Sequence, residues 1–122
     1  MPAGRAIICP SHEACFIQGS DAIRAKFKDS VNPLYFVYGT KSQEYLKMIG
    51  ENTQGSTRQR IAITKYRSLP FILPPSDEQK LIAEALQDIE NLLRELQAKR
   101  EKYAAIRQGM MQQLLTGKIR LI

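Results

Sequence analysis

The sequence predicts an α+β fold in which a small mixed α/β domain precedes one long, coiled-coil-forming α-helix. Between residues 6 and 73, short apolar runs bounded by glycine, proline and other turn residues surround a single amphipathic stretch. Between residues 77 and 115, apolar side chains then recur in steps of four and three residues, which is the spacing of a helix that packs along another helix. We therefore expect a domain over residues 1–75, a long helix over residues 76–117 and a tail over residues 118–122.

The strands of the first domain are predicted from short apolar or alternating runs. Residues 6–9 form such a run before a turn, and residues 14–24 hold two further short runs separated by turn residues. Residues 61–64 alternate apolar and small or polar side chains, and residues 71–73 form a last apolar run before the prolines. These patterns predict several short strands.

One helix is predicted within this domain. Asn32-Pro33 is a typical helix opening, and the apolar face that follows reaches Ile49. Gly39 interrupts the pattern and Gly50 follows its last apolar residue. We expect a helix that ends at Gly50, with a break near Gly39.

The long helix has a predicted start, seam and end. Pro74 and Pro75 cannot lie inside a helix, whereas Ser76 or Asp77 can cap the free amide groups of one that begins there. Gly117 is a suitable C-cap. At about 1.5 Å per residue, the stretch from Asp77 to Leu115 is roughly 58 Å long as a helix, too long for the preceding domain to cover. The predicted seam against a partner helix consists of Ile82, Leu86, Ile89, Leu93, Leu96, Tyr103, Met110 and Leu114.

Two arginines occupy positions where the seam should be apolar. Continuing the four-three steps places Arg100 and Arg107 in the seam, where a charge weakens packing but fixes register and partner. Alternatively, the helix rotates slightly, so that Tyr103 and Ile106 carry the seam and the arginines lie at its edge. The pattern leaves both arrangements open.

Two segments of this helix resemble a known family. Residues 73–83, LPPSDEQKLIA, are similar to the P-L-P-P-x-x-E-Q-x-x-I-A segment of type I restriction–modification specificity subunits. Residues 106–121, IRQGMMQQLLTGKIRL, resemble the end of the conserved helix in that family, K-x-G-L-M-Q-x-L-L-T-G-K-x-R. Residues 14–19 and 55–61 more loosely resemble later segments of its DNA target-recognition domain.

The resemblance implies a sequence-specificity subunit, or a truncated form of one, that directs partner methyltransferase and restriction subunits to double-stranded DNA. Full subunits of this family have two recognition domains and two helices that pair antiparallel. This chain has one such long helix, and residues 1–75 resemble only the C-terminal part of a recognition domain. We therefore expect a truncated form that pairs as an antiparallel homodimer. In the family, methylation and cleavage belong to other subunits, which implies no enzyme activity and no cofactor here. The alternative is a helix-mediated assembly module that no longer binds DNA.

The candidate DNA-binding loop lies between Gln54 and Arg60. Glycine lets the backbone approach a surface closely, and serine and threonine hydroxyls can donate to phosphate oxygens. Arginine can bind phosphate or pair with guanine, and glutamine can read adenine. Ordinary solvated loops contain the same residue types, so this pattern alone leaves DNA contact open. The candidates are Gly55, Ser56, Thr57, Arg58, Gln59 and Arg60, with Gln18, Arg24 and Lys65 as weaker ones.

Charge, cysteine content and hydropathy predict the kind of partner, the state of the thiols and the location of the protein. The net charge is +6, and residues 1–75 contain ten Lys/Arg against five Asp/Glu, as expected if that domain meets phosphate. We find no catalytic constellation, and Cys9, His12 and Cys15 are too few to complete a zinc site, so reduced thiols are expected. No segment has the length and apolarity of a membrane span or a signal peptide, which predicts a cytoplasmic location.

Overall fold

The computed structural model describes residues 3–9, 19, 22–55 and 59–122 of the chain. Its contacts divide the chain into two compact units, Met1–Glu84 and Ala85–Ile122. The helices within the described residues are α1 (Pro33–Gly39), α2 (Gln43–Glu51), α3 (Ile63–Arg67) and α4 (Ser76–Leu115).

The helix predicted after Asn32 is present as two helices, with the break near Gly39 that the sequence predicts. The side-chain oxygen of Asn32 accepts the first two free amide groups of α1, at 2.9 and 3.0 Å. Ser42 has an extended backbone and cannot continue the helix, but its hydroxyl caps α2 by accepting from the amide of Tyr45 at 3.3 Å. The second helix ends one residue beyond Gly50.

The predicted sheet is not confirmed. Among the described residues, β pairing is limited to an isolated antiparallel bridge between Gln54 and Arg60. The strand predicted over residues 61–64 is wrong, because Ile63 begins α3 and the amide of Tyr66 donates to the carbonyl of Ala62 at 2.8 Å. Four alternating residues are too few to separate a strand from one turn of helix.

The other strand predictions meet no confirmation either. Residues 6–9, 22–24 and 71–73 have no strand assignment, and most of residues 14–21 lie outside the described part. The confirmed part of the predicted fold is therefore the helical part, with one long C-terminal helix.

Phe71 explains why the segment before the prolines is apolar without being a strand. Its ring packs against Phe36 at 4.8 Å, Tyr45 at 5.9 Å and Tyr35 at 6.1 Å between ring centroids. A Cβ atom at Gly39 would collide with this ring, so glycine is needed there for close approach. The first unit is thus centred on an aromatic cluster between α1, α2 and the segment that leads into α4.

The fourth helix begins where the sequence predicts, directly after the two prolines, and its first turns belong to the first unit. Gln79 and Ala83 lie one turn apart on the same face and are each 1% exposed. At the other end, Gly117 adopts a left-handed φ of 71°, which terminates the helix as a glycine C-cap does. None of the described helices has an apolar stretch of the kind that spans a bilayer.

Candidate DNA-contacting surface and helix seam

The candidate DNA-binding loop is closed at its base by backbone pairing. Gln54 and Arg60 exchange both N–H to carbonyl hydrogen bonds, at 2.8 and 2.9 Å. Gly55 has a φ of 104°, a conformation that residues with a Cβ rarely adopt. Gly55, Gln59 and Arg60 are exposed. The structure therefore brings these three candidates together on one loop, while Ser56, Thr57 and Arg58 lie outside the described residues.

The weaker candidates lie on other segments. Lys65 is exposed on α3, directly after residues 61–64 where the sequence predicts a strand, and shares the last turn of that short helix with Arg67. Arg24 is exposed in the segment that precedes α1, and Gln18 lies outside the described residues. Only Lys65 is close in sequence to the loop, five residues beyond Arg60.

A hydroxyl pair anchors the short helix that carries Lys65. The hydroxyl of Tyr45 lies 2.9 Å from that of Tyr66 and 3.3 Å from the carbonyl oxygen of Gly4. Burial, together with the hydrogen bond to Tyr66, raises the pKa of the Tyr45 hydroxyl well above its ordinary value. The hydroxyl therefore remains protonated at neutral pH, and its role is to hold α3 against α2.

Gln79 holds the first unit together through contacts that the sequence analysis did not predict. Its side-chain oxygen accepts the amide N–H of Asn32 at 2.9 Å, and its side-chain nitrogen donates to the carbonyls of Ser30 at 3.1 Å and Pro74 at 2.8 Å. The sequence indicates only an amide in the first turn of a helix, whereas two of the partners lie more than forty residues earlier. Gln79 ties the start of α1 to the start of α4.

The predicted seam is exposed along the second unit. Leu86 is 38% exposed, Leu93 is 59% exposed and Tyr103 is 59% exposed, and Ile89, Leu96 and Met110 fall between these values. Ile82 and Leu114 are half-buried. Ile106 is 46% exposed. The two alternative seams, one with Arg100 and Arg107 and one with Tyr103 and Ile106, are therefore both accessible to a partner helix.

Charge is distributed unevenly along α4. Residues 77–95 contain six acidic and two basic side chains, and residues 96–115 contain one acidic and four basic side chains. The ion pairs that the structure shows in the first part are between neighbouring turns, Lys80 with Glu84 at 3.9 Å and Arg94 with Glu90 at 3.7 Å. Exposed pairs of this kind contribute little stability. Residues 77–95 remain the acidic half of the helix and residues 96–115 the basic half.

The described residues show no grouping of three or more side chains suited to a metal ion. Cys9 is exposed and free, and His12 and Cys15 lie outside the described residues.

The described part of the chain is thus a small helical domain with an exposed loop, followed by a long helix with an exposed apolar seam. The model of the family described as the type I restriction modification DNA specificity domain matches residues 2–104. The chain belongs to this family.

Two curated relatives come from Methanocaldococcus jannaschii. A putative type I restriction enzyme MjaX specificity subunit is 28% identical over 120 residues, which are 98% of this chain and 27% of the relative. The type I restriction enzyme MjaVIII specificity subunit is 28% identical over 101 residues, which are 82% of this chain and 23% of the relative. The chain therefore spans about a quarter of the length of these relatives. No solved structure matches it.

Proposed function

We propose that this chain is a DNA-recognition component of a type I restriction–modification system, either as a specificity subunit or as a truncated form of one. In this role it directs methyltransferase and restriction subunits to duplex DNA and catalyses no reaction itself. The observation that carries the proposal is the family match over residues 2–104, which covers both the first domain and most of α4. The two relatives are named as specificity subunits.

The first domain is the part that we expect to contact DNA. Residues 1–75 carry a net charge of +5, from ten basic and five acidic side chains. The loop closed by Gln54 and Arg60 offers exposed polar and cationic side chains on a fixed base. Lys65 and Arg67 follow on α3, which is anchored through Tyr66. Cations on a positioned surface are suited to phosphate contact.

We propose that α4 pairs with the same helix of a second chain in antiparallel orientation. Soluble proteins rarely leave a continuous apolar row such as Leu86 to Leu96 in water, so this face calls for a covering surface. In an antiparallel pair, the acidic half of each helix faces the basic half of the other, whereas a parallel pair would oppose like charges. The charge distribution thus favours a two-fold antiparallel homodimer.

A second candidate function is a helix-mediated assembly module that does not bind DNA. The exposed seam favours it, because this feature needs a protein partner but no nucleic acid. DNA binding at different salt concentrations separates the two candidates, since phosphate contact gives a steep salt dependence.

The test replaces Arg58 and Arg60 together with alanine. We expect weaker duplex binding and a plot of log affinity against log salt that is flatter by about two units, close to 0.9 for each phosphate that the variant no longer binds. Thermal stability should change little, because the backbone hydrogen bonds of Arg60 with Gln54 can form with any side chain at position 60.

The matched control is the pair Lys118→Ala and Arg120→Ala, which removes the same charge from exposed positions in the C-terminal tail, outside α4. If both pairs change the salt dependence equally, the loop makes no specific contact. A large loss of stability with unchanged binding would assign the arginines a structural role. A wild-type chain that binds no duplex at low salt would favour the assembly module.

A further inference from the structure

A second cationic segment lies in the first unit, away from the loop in sequence. Residues 22–28, Ala-Ile-Arg-Ala-Lys-Phe-Lys, contain three cations and no acidic residue. Arg24, Lys26 and Lys28 are all exposed. Within the described part of the chain, their side chains make no ion pair or hydrogen bond. The charges of this segment are therefore available to a partner.

The C-terminal end of this segment is attached to the core of the first unit. The ring of Phe27 packs on Phe36 with 4.8 Å between centroids, and Phe36 packs on Phe71 at the same distance. The carbonyl of Lys28 accepts from the amide of Val31 at 3.0 Å, which closes the turn that follows. The cations thus flank an aromatic side chain that is fixed in the aromatic cluster.

Gln79 holds the residues that come directly after this turn. Its side chain donates to the carbonyl of Ser30 and accepts from the amide of Asn32. Asn32 in turn caps α1. A segment whose end is fixed in this way loses less conformational freedom on binding than an unattached tail does.

The neighbouring charges show which cations are most available. Lys28 lines a shallow depression together with Lys80, and Asp29 and Asp77 line it too, so positive and negative charges are balanced there. Arg24 and Lys26 lie outside this depression. The excess of positive charge is therefore greatest at the N-terminal part of the segment.

We propose that the segment from Arg24 to Lys28 is a second contact with the DNA backbone, in which its three cations bind phosphates of a duplex. The proposal rests on the proposed function for the identity of the partner, but it assigns contacts to residues outside the loop. Because an extended chain spans at most about 3.6 Å per residue, the three charges at positions 24, 26 and 28 lie within roughly 15 Å along the backbone. One DNA strand presents a charge about every 3.4 Å along the axis, so several phosphates are within reach.

The composition of the segment favours this partner over a lipid surface. Binding at a membrane interface requires a continuous apolar face beside the cations. Residues 22–28 form no helix that would align such a face. Their two large apolar side chains are Ile23, which is 56% exposed, and Phe27, which is 37% exposed and packs on one side against Phe36.

The test is a triple variant, Arg24→Ala, Lys26→Ala and Lys28→Ala, in the full chain. Its binding to a duplex of random sequence is measured by fluorescence anisotropy over a range of salt concentrations. We expect the slope of log affinity against log salt to become flatter by roughly 1.8 to 2.7 units, at 0.9 per phosphate bound. The lower limit applies if Asp29 and Asp77 already neutralise Lys28.

Two control variants accompany it. Lys47→Ala, Lys118→Ala and Arg120→Ala removes the same charge from exposed positions outside the segment, the loop and α4, and should change the slope less. Arg24→Lys, Lys26→Arg and Lys28→Arg keeps the charge, and should retain wild-type binding. Thermal unfolding establishes that each variant is folded.

The outcomes separate this inference from the proposed function. If the wild-type chain binds duplex and the triple alanine variant has the wild-type slope, or only the change seen in the control, the segment makes no backbone contact. If the wild-type chain binds no duplex at any salt concentration, the proposed function fails and this inference fails with it. Binding of phosphatidylserine vesicles by the wild type, abolished in the triple variant without any change in DNA binding, would assign the segment to a lipid surface and overturn the inference.

Discussion

Replacing Leu93 with lysine should convert the proposed homodimer into monomers. Leu93 lies near the middle of the seam and is 59% exposed in the single chain, so more than half of its side chain is available for burial. Fully burying a leucine side chain contributes about 1.5–3 kcal/mol, and a two-fold dimer contains two copies. Scaling by the exposed fraction gives a loss of roughly 2 to 3.5 kcal/mol, before any cost of burying an ammonium group. The dimer dissociation constant should therefore rise about 20- to 300-fold.

The assay is sedimentation or light scattering of the wild type and the variant at tens of micromolar. The matched control is Asn91→Lys, because Asn91 is exposed on the same helix and lies about 200° around the axis from Leu93, at roughly 100° per residue. It should leave the dimer intact. A wild-type chain with the mass of a monomer refutes the argument, and so does equal dissociation by both lysine variants.

Two further predictions concern stability and are tested by urea and thermal unfolding. Gln79→Glu keeps the shape of the side chain but replaces two N–H donors with an oxygen that faces two carbonyls, so we expect a loss of at least about 1–3 kcal/mol. The same environment raises the pKa of the new carboxyl in the folded state above its unfolded value of about 4.3, so the stability lost at neutral pH should be partly recovered as the pH falls through the raised pKa. An equally stable variant would show that these hydrogen bonds contribute little. Gly39→Ala should cost about 1–3 kcal/mol, because the added Cβ collides with the ring of Phe71. Gly50→Ala meets no atom within 4 Å and should be neutral or stabilising by up to about 1 kcal/mol, and the opposite order of the two variants would contradict this packing.

The elements that the sequence predicts correctly are those that depend on local chemistry. Asn32 and Pro33 open α1, and the helix of α4 begins directly after Pro75, because capping and the missing amide of proline act within a few residues. The break near Gly39 can be predicted from the sequence because it, too, depends on nearby residues. The strand over residues 61–64 is wrong because its pattern is short, and the contact between Tyr66 and Tyr45, twenty-one residues apart, cannot be inferred from it.

For the candidate site, too, the sequence predicts local features but not contacts between distant residues. The loop up to Arg60 can be selected from its composition, and the structure adds that its base is paired. The segment from Arg24 to Lys28 is represented at the sequence level only by Arg24, because its attachment through Phe27 is a tertiary contact. That the loop and this segment contact the same DNA duplex is still a prediction. Contacts with bases and phosphates depend on where side chains lie in space, which composition does not give.

The identity of Gln79 follows from its surroundings rather than from helix formation. The position must donate to two carbonyls and accept from one amide within the same buried space. Of the uncharged side chains, only an amide offers two donors together with an acceptor, and asparagine is one methylene shorter. Gln79 and Ala83 are both buried against the first domain, so the first two turns of α4 belong to that domain's core, and the first compact unit extends to Glu84. The glutamine in the family segment is therefore best understood as the residue that fixes the start of the long helix in the domain that we expect to contact DNA.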